Sequence, residues 1–240
     1  MIYRMDLIYD IGVFDGLDTD YYLHKGYSVL CVEADPQLCR KLSDKYARQI
    51  AAGRVILVNR ALSVDDLPKT LYVNNGLGEW SSLIESTGSR MSGSTPVGVE
   101  CCTLDGLFQR YGVPYYLKID IEAMECACLK VMNTELLPEF ISIEFSQTES
   151  LDVLYDKGYR TFQLVQQQDH PADGDWIFST YPCPTGRLSH LLPADRWKDR
   201  NAVRAEYERI NREGIWFDLH AALPKATSWA SRTRTTPASA

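Results

Sequence analysis

The chain has 240 residues, 45% of them apolar, with a formal net charge of −7. That suits one globular domain with a sizeable core, and the acidic balance argues against a general nucleic-acid binder. No run nears the eighteen apolar residues of a membrane span, and the start, MIYRMDLIYD, lacks the apolar core of a signal peptide, so a cytoplasmic protein is expected.

From the N-terminus, apolar runs alternate with helical patterns, the signature of βαβ units on a parallel sheet. Residues 6–11 read as the first strand, and 18–25 as a short helix closed by Gly26. Residues 28–33 form the second strand. A helix over 36–52 carries Pro36 in its first turn, where a missing N–H does no harm. RVILVN (54–59) is the third strand, and 69–73 a small extra one. Residues 74–98 are rich in Gly, Ser and Thr and read as a long loop, which in a compact domain is commonly functional. A helix follows over 104–111, with Thr103 as its N-cap. Then come a strand at 115–120, a helix at 124–132, a strand at 139–145 and a helix at 148–157 ending at Gly158. Residues 159–165 and 175–179 are expected as the last two strands, close enough in sequence to pair antiparallel. Residues 182–193 read as irregular and 194–212 as a charged amphipathic helix. One domain over 1–225 and a disordered tail over 226–240 are expected. Seven cysteines, an odd number with no CxxC pair, read as buried or idle thiols rather than a zinc site.

The first strand runs into Asp10-Ile-Gly12-Val-Phe-Asp-Gly16. Glycines in a strand-to-helix turn let the backbone approach a ligand closely. The pattern is D-x-G-x-x-x-G, not the G-x-G-x-x-G of dinucleotide folds. Asp15, Asp18 and Asp20 disfavour a pyrophosphate at the helix start and are compatible with a cationic ligand. Glu33 ends the second strand, where an acid can accept hydrogen bonds from both hydroxyls of a ribose. A nucleoside without phosphate and with positive charge fits these residues, and S-adenosylmethionine fits that description best. The ribose is expected on Glu33 and the methionine part over Gly12 and Gly16.

The stretches DIGVFDGLDTDYYLHKGYSVLCVEADP, GRVILVNRALS, TLDGLFQRYGVPYYLKIDIEAMECACLKVM, PEFISIEFS and LYDKGYRTFQLVQQ occur in this order over roughly residues 9 to 168. Together they resemble the FkbM family of S-adenosylmethionine-dependent methyltransferases, with GRLSHLLPADRW a weaker match near the C-terminus. The resemblance implies an α/β, Rossmann-like class I methyltransferase fold. This is a seven-stranded, mostly parallel sheet with an antiparallel last strand, helices on both faces and the cofactor at the carboxyl ends of strands one to four. It implies methyl transfer, most often to a hydroxyl oxygen. Asp10, Gly12, Gly16, Glu33 and Ala61 carry over as cofactor contacts, and Phe14 and Ala34 are placed with them. Asn59 and Asp120 are expected near the adenine and the methionine portion. Thr19 is expected to touch the methionine carboxylate, and Ser81 and Ser82 match a serine pair that folds over the cofactor. Ala123 stands where the family usually has glycine, and its methyl group is expected to narrow the pocket beside Glu122. With the first strand so near Met1, cover over the site is expected from 74–98 or 74–100, from 166–197, or from a second subunit.

Methyl transfer to oxygen needs an aligned acceptor and commonly the removal of a proton. Asp120, Glu122 and Glu144 end neighbouring strands, where open α/β sheets bind ligands. Asp120 and Glu122 point the same way along an extended chain. Three such acids repel one another, so one is protonated, one pairs with Lys118, or all share a divalent cation such as Mg²⁺. The plainer alternative has Glu122 capping the following helix and Glu144 paired with Lys118 or an arginine. His170 could act as general base, whereas His24, His190 and His220 default to structural or surface roles. Tyr21, Tyr22 and Trp176 are expected in the core, with Trp80 the exception that could face substrate. The expected partner is a small-molecule acceptor such as a sugar or polyketide, with no nucleic acid or membrane, and a homodimer is an option. The competing readings are methyl transfer to an amine or carboxylate, a nucleotide- or NAD-binding regulator, and a non-catalytic interaction module.

Overall fold

A computed structural model describes residues 2–166, 188–211 and 215–224. Their main sheet has seven strands in the order β10-β11-β9-β8-β1-β2-β3. The strands are β1 (Tyr3–Ile11), β2 (Ser28–Glu33), β3 (Val55–Asn59), β8 (Val113–Ile119), β9 (Phe140–Glu144), β10 (Thr161–Gln166) and β11 (Phe217–Ala222). The pairs β1–β2, β2–β3, β1–β8 and β8–β9 are parallel, and β11 runs antiparallel to both β9 and β10. The fold expected above is therefore the one observed.

Alternation along each strand assigns side chains to the two faces. Leu7, Tyr9 and Ile11 of β1 face a core shared with α5 (Leu104–Tyr111), α6 (Glu125–Val131), α7 (Glu149–Lys157) and α8 (Arg200–Ile210). Ile8 faces a second core with Tyr21 and Tyr22 of α1 (Leu17–His24) and Leu42 of α2 (Pro36–Lys45). Coverage on both faces explains why the strands read as continuous apolar runs. The helix signals hold at several ends. Thr103 Oγ1 accepts from the Gly106 N–H, and Gly158 closes α7 in the left-handed conformation.

Four expectations need correction. The helix over 36–52 breaks at Tyr46 into α2 and α3 (Ala47–Ala51). Tyr46 leaves helical geometry while its buried hydroxyl donates to the Gly16 carbonyl and Asp20. Residues 74–98 are not a loop. β5 (Lys69–Asn74) pairs antiparallel with β6 (Ser94–Val99), and between them lie a 3-10 turn (Gly78–Trp80) and α4 (Glu85–Gly88). At the base of this insert, β4 (Ala61–Leu62) pairs with β7 (Cys101–Cys102). Among the described residues β10 pairs antiparallel with β11, from a segment given no strand above; the strand expected at 175–179 lies outside the described residues. The C-terminal helix is shorter, α8 following a 3-10 turn (Ala194–Arg196), with Asp199 accepting from the Asn201 and Ala202 N–H groups as its cap.

The six cysteines among the described residues are free thiols, five of them buried. Among the described residues no helix is long and apolar enough to cross a membrane.

Candidate active site

At the carboxyl ends of β1, β2 and β8 lies a cavity of about 670 Å³. Its floor begins with the turn after β1, where Gly12, Phe14 and Gly16 all have positive φ. A Cβ on Gly12 would overlap the carbonyl oxygen of Asp120, and one on Gly16 would overlap the Tyr46 hydroxyl. The glycines thus let this turn pack against the end of β8 and the α2–α3 break, and Gly12 also lines the cavity. Glu33 Oε2 accepts from the Phe14 N–H at 2.9 Å, and Oε1 from the Asp35 N–H at 2.8 Å. Burial pushes its carboxyl up to about 7, against the opposing pull of those two bonds. Asn59 donates to the carbonyls of Glu33 and Ala34 and so fixes the turn after β2.

Beneath the cavity one rung of the sheet is polar across six strands. Cys31, Asp10, Lys118, Ser142, His220 and Gln163 are register neighbours on β2, β1, β8, β9, β11 and β10, and all are buried. Lys118 Nζ lies 3.1 Å from Asp18, 3.5 Å from Asp10 and 3.6 Å from Asp120, and donates to the Gly12 carbonyl at 3.1 Å. Burial alone would lower the Lys118 pKa, but these carboxylates hold it well above the ordinary lysine range, so the ammonium stays charged. Asp10 Oδ2 accepts from the Thr19 hydroxyl at 2.6 Å, and burial raises the Asp10 carboxyl.

The opposite wall holds three acids. Oxygens of Asp120, Glu122 and Glu144 lie within 4.8 Å of one another. β8 ends at Ile119, and Glu122 and Ala123 both have positive φ, so a turn rather than an extended strand brings Asp120 and Glu122 to the same cavity. Glu122 does not cap α6. It pairs with Arg90 at 2.8 Å, and its carbonyl accepts from the Ser82 hydroxyl at 2.7 Å. Glu125 instead accepts the Ile121 N–H at 2.8 Å. Glu144 does not pair with Lys118. Burial, then the charges of Asp120 and Glu122, drive its carboxyl far above the usual range, so it is a protonated acid at neutral pH. Burial and Asp120 also raise Glu122, while Arg90 opposes them. Oxygen ligands at this spacing could hold a hard cation. Arg90 pairs with Glu122, and Lys118 reaches Asp120 while also serving Asp10 and Asp18.

The β5–β6 insert forms the cavity's outer wall through Glu79, Trp80, Ser82 and Arg90, and Trp216 stands at the rim. Arg90 stacks on the Trp80 ring at 4.3 Å. Of the expected site residues, Gly12, Phe14, Glu33, Ala34, Ala61, Ser82, Asp120, Glu122 and Glu144 line the cavity. Asp10 and Thr19 lie behind its wall, Gly16 supports the turn, and Asn59 holds the backbone from outside. Ala123 is exposed, so its methyl group does not narrow the pocket. His170 and Trp176 lie outside the described residues. His190 packs against Tyr27, Tyr115 and Phe140 near the strand starts, away from the cavity, and His220 is buried in the polar rung. Lys118 and Arg90 were not foreseen as lining groups. A lysine inside the apolar run VPYYLKI was a readable signal, because a buried charge needs partners. The residues around Arg90 carry no such signal.

A family model described as the methyltransferase FkbM domain matches residues 10–166. A search of curated proteins finds no match. Similar solved structures include a precorrin-6y C5,15-methyltransferase from Geobacter metallireducens GS-15, at 11% identity, 93% of this chain, 82% of that chain and a TM-score of 0.41. They also include the (4+2) cyclase SpnF, at 10% identity, 93% of this chain, 77% of that chain and a TM-score of 0.39.

Proposed function

The chain belongs to the FkbM methyltransferase domain family, and from that premise we propose that it uses S-adenosylmethionine to methylate a hydroxyl oxygen of a small molecule. The observation that carries the cofactor reading is Glu33, a buried carboxylate at the end of β2 that lines the same cavity as the Gly12 turn and Asp120. The residues present fit the cofactor. The cavity volume lies within the range of about 300–1,000 Å³ typical of small-ligand sites. The excess of acids over Arg60, Arg90 and Lys118 in its wall suits a cationic ligand. The bound cofactor supplies an electrophilic methyl group on a positively charged sulfur.

The chain's own residues do the rest. Glu33 accepts from the ribose hydroxyls, and its existing N–H bonds hold the carboxylate in place. Trp80, Ser82 and Arg90 wall off the acceptor side. Glu122 takes the acceptor's proton. Its carboxyl is raised toward the working pH, which favours a general base, and the Arg90 pair aims it. Glu144, protonated, donates a hydrogen bond rather than competing for the proton.

Calorimetry with S-adenosylhomocysteine, S-adenosylmethionine and NAD tests the cofactor reading. Micromolar binding of the two methionine nucleosides alone is expected, weakened about tenfold or more in a folded Glu33→Ala variant. Absence of binding, or binding of NAD alone, would overturn it.

A further inference from the structure

We infer that Ser82 is a positioning residue for Glu122, its hydroxyl holding the strained Glu122–Ala123 turn in the conformation that brings the Glu122 carboxyl into the cavity; the inference rests on the reading of Glu122 as general base above. Two successive residues with side chains, Glu122 at φ 61 and Ala123 at φ 80, lie in the left-handed region. Such a conformation is unfavourable for L-residues and persists only where the surroundings impose it. The start of the turn is tied down from α6, where the Glu125 carboxyl accepts the Ile121 N–H at 2.8 Å. The Glu122 carbonyl is tied down from the β5–β6 insert, where it accepts from the Ser82 hydroxyl at 2.7 Å. The Arg90 pair acts on the carboxyl, whereas Ser82 acts on the backbone that carries it.

Ser82 is built to hold rather than to bind. It is buried, and its backbone exchanges two hydrogen bonds with Tyr72 of β5, at 2.8 and 3.2 Å. Its hydroxyl oxygen accepts the Ile84 N–H at 3.0 Å. A serine has one O–H to give, and here it goes to a residue forty positions away, outside the insert. The hydroxyl is therefore committed to the turn and does not serve as a cofactor contact. The alternative is that Ser82 only stabilises the insert. In that case its loss loosens the insert but leaves the turn and its carboxyl where they are, and a change at Ala123 does nothing to repair the damage.

Carbon-13 NMR of protein labelled in its glutamate carboxyls separates the two roles, with the Glu122 signal assigned by its absence in Glu122→Gln. The groups that face this carboxyl are Asp120 and Glu144 from the strand ends, Arg90 and Glu79 from the insert and Glu125 from α6. All of them are kept in the variants compared, so a changed titration reports the placement of Glu122 itself. In the wild type the carboxyl is expected to titrate well above 4.5, because burial and Asp120 raise it. In Ser82→Ala the turn relaxes toward solvent and the midpoint is expected to fall by about one pH unit or more. Adding Ala123→Gly to Ser82→Ala is expected to restore most of the fall, because glycine adopts the left-handed conformation without being held there. A raised wild-type midpoint that Ser82→Ala leaves unchanged, or a fall that Ala123→Gly does not reverse, would overturn the assignment and leave the reading of Glu122 standing. A wild-type midpoint near 4.5 would overturn the reading of Glu122 as the base and this assignment with it. If Ser82→Ala loosens the insert, seen as faster hydrogen exchange at residues 75–93, Ser82→Cys fills the same space with a weak donor and carries the same comparison.

Discussion

At the scale of single residues the site is built from side chains held in costly states. Ala123 has φ 80 and is exposed, so it bears left-handed strain with no packing in return. That strain is about 1–2 kcal/mol, less the extra chain entropy that glycine loses on folding. Ala123→Gly is therefore expected to stabilise the protein by about 0.5–1 kcal/mol, seen in calorimetry as a melting point about 2 °C higher. Glu125 is buried and accepts the Ile121 N–H, and burial pushes its carboxyl up to about 7. The folded state holds this proton more tightly than the unfolded chain, whose carboxyl titrates near 4.5. The stability it contributes is full below pH 4.5 and is lost as pH rises through 7. Glu125→Gln can keep the bond to Ile121 but cannot ionise. Urea unfolding should show the variant close to wild type at pH 4.5 and about 1–3 kcal/mol more stable at pH 7.5. A variant equally destabilised at both pH values would refute the account.

At the scale of elements, the insert between β5 and β6 is a folded unit organised by one side chain. Asn74 is buried. Its Oδ1 accepts from the Gly76 and Leu77 N–H groups and the Ser92 hydroxyl, and its Nδ2 donates to the carbonyls of Gly88 and Arg90. Asn74→Ala leaves buried backbone groups unpaired, a loss of roughly 2–4 kcal/mol confined to the insert. Hydrogen exchange should quicken at residues 75–93 and stay unchanged in β1 and β8. Uniform acceleration would instead mean that the insert is part of the global fold. The composition of this stretch gave no hint of such order. Its Gly, Ser and Asn residues have weak propensities, and the structure comes from one asparagine bonding to positions up to eighteen residues away. The reverse holds for α5, where a Thr cap and an apolar stripe suffice to place both ends.

At the scale of the whole molecule, the cavity exists because β1, β2 and β8 end together. Anything bound there contacts several elements at once. A ligand that binds only the folded state stabilises it by about 2.7 kcal/mol at a hundredfold excess over its dissociation constant. S-adenosylhomocysteine at that excess is expected to raise the melting point by roughly 5 °C or more, and an unchanged melting point would count against the cofactor reading. The amino-acid sequence by itself determined the alternation of strands and helices, the turn after β1 and the acid at the end of β2. Each of these is written locally, in apolar period, caps and glycine spacing. It did not place β11, because FDLHAA lacks a β-branched run and is a strand only by lying between β9 and β10 with all six residues buried. Nor did it show that Thr19 turns inward, that Lys118 faces the cavity, or that Arg90 meets Glu122. Those pairings join residues far apart in the chain, and only the packing of the sheet, with charges driven together where water is excluded, decides which acid keeps its proton and which cation it meets.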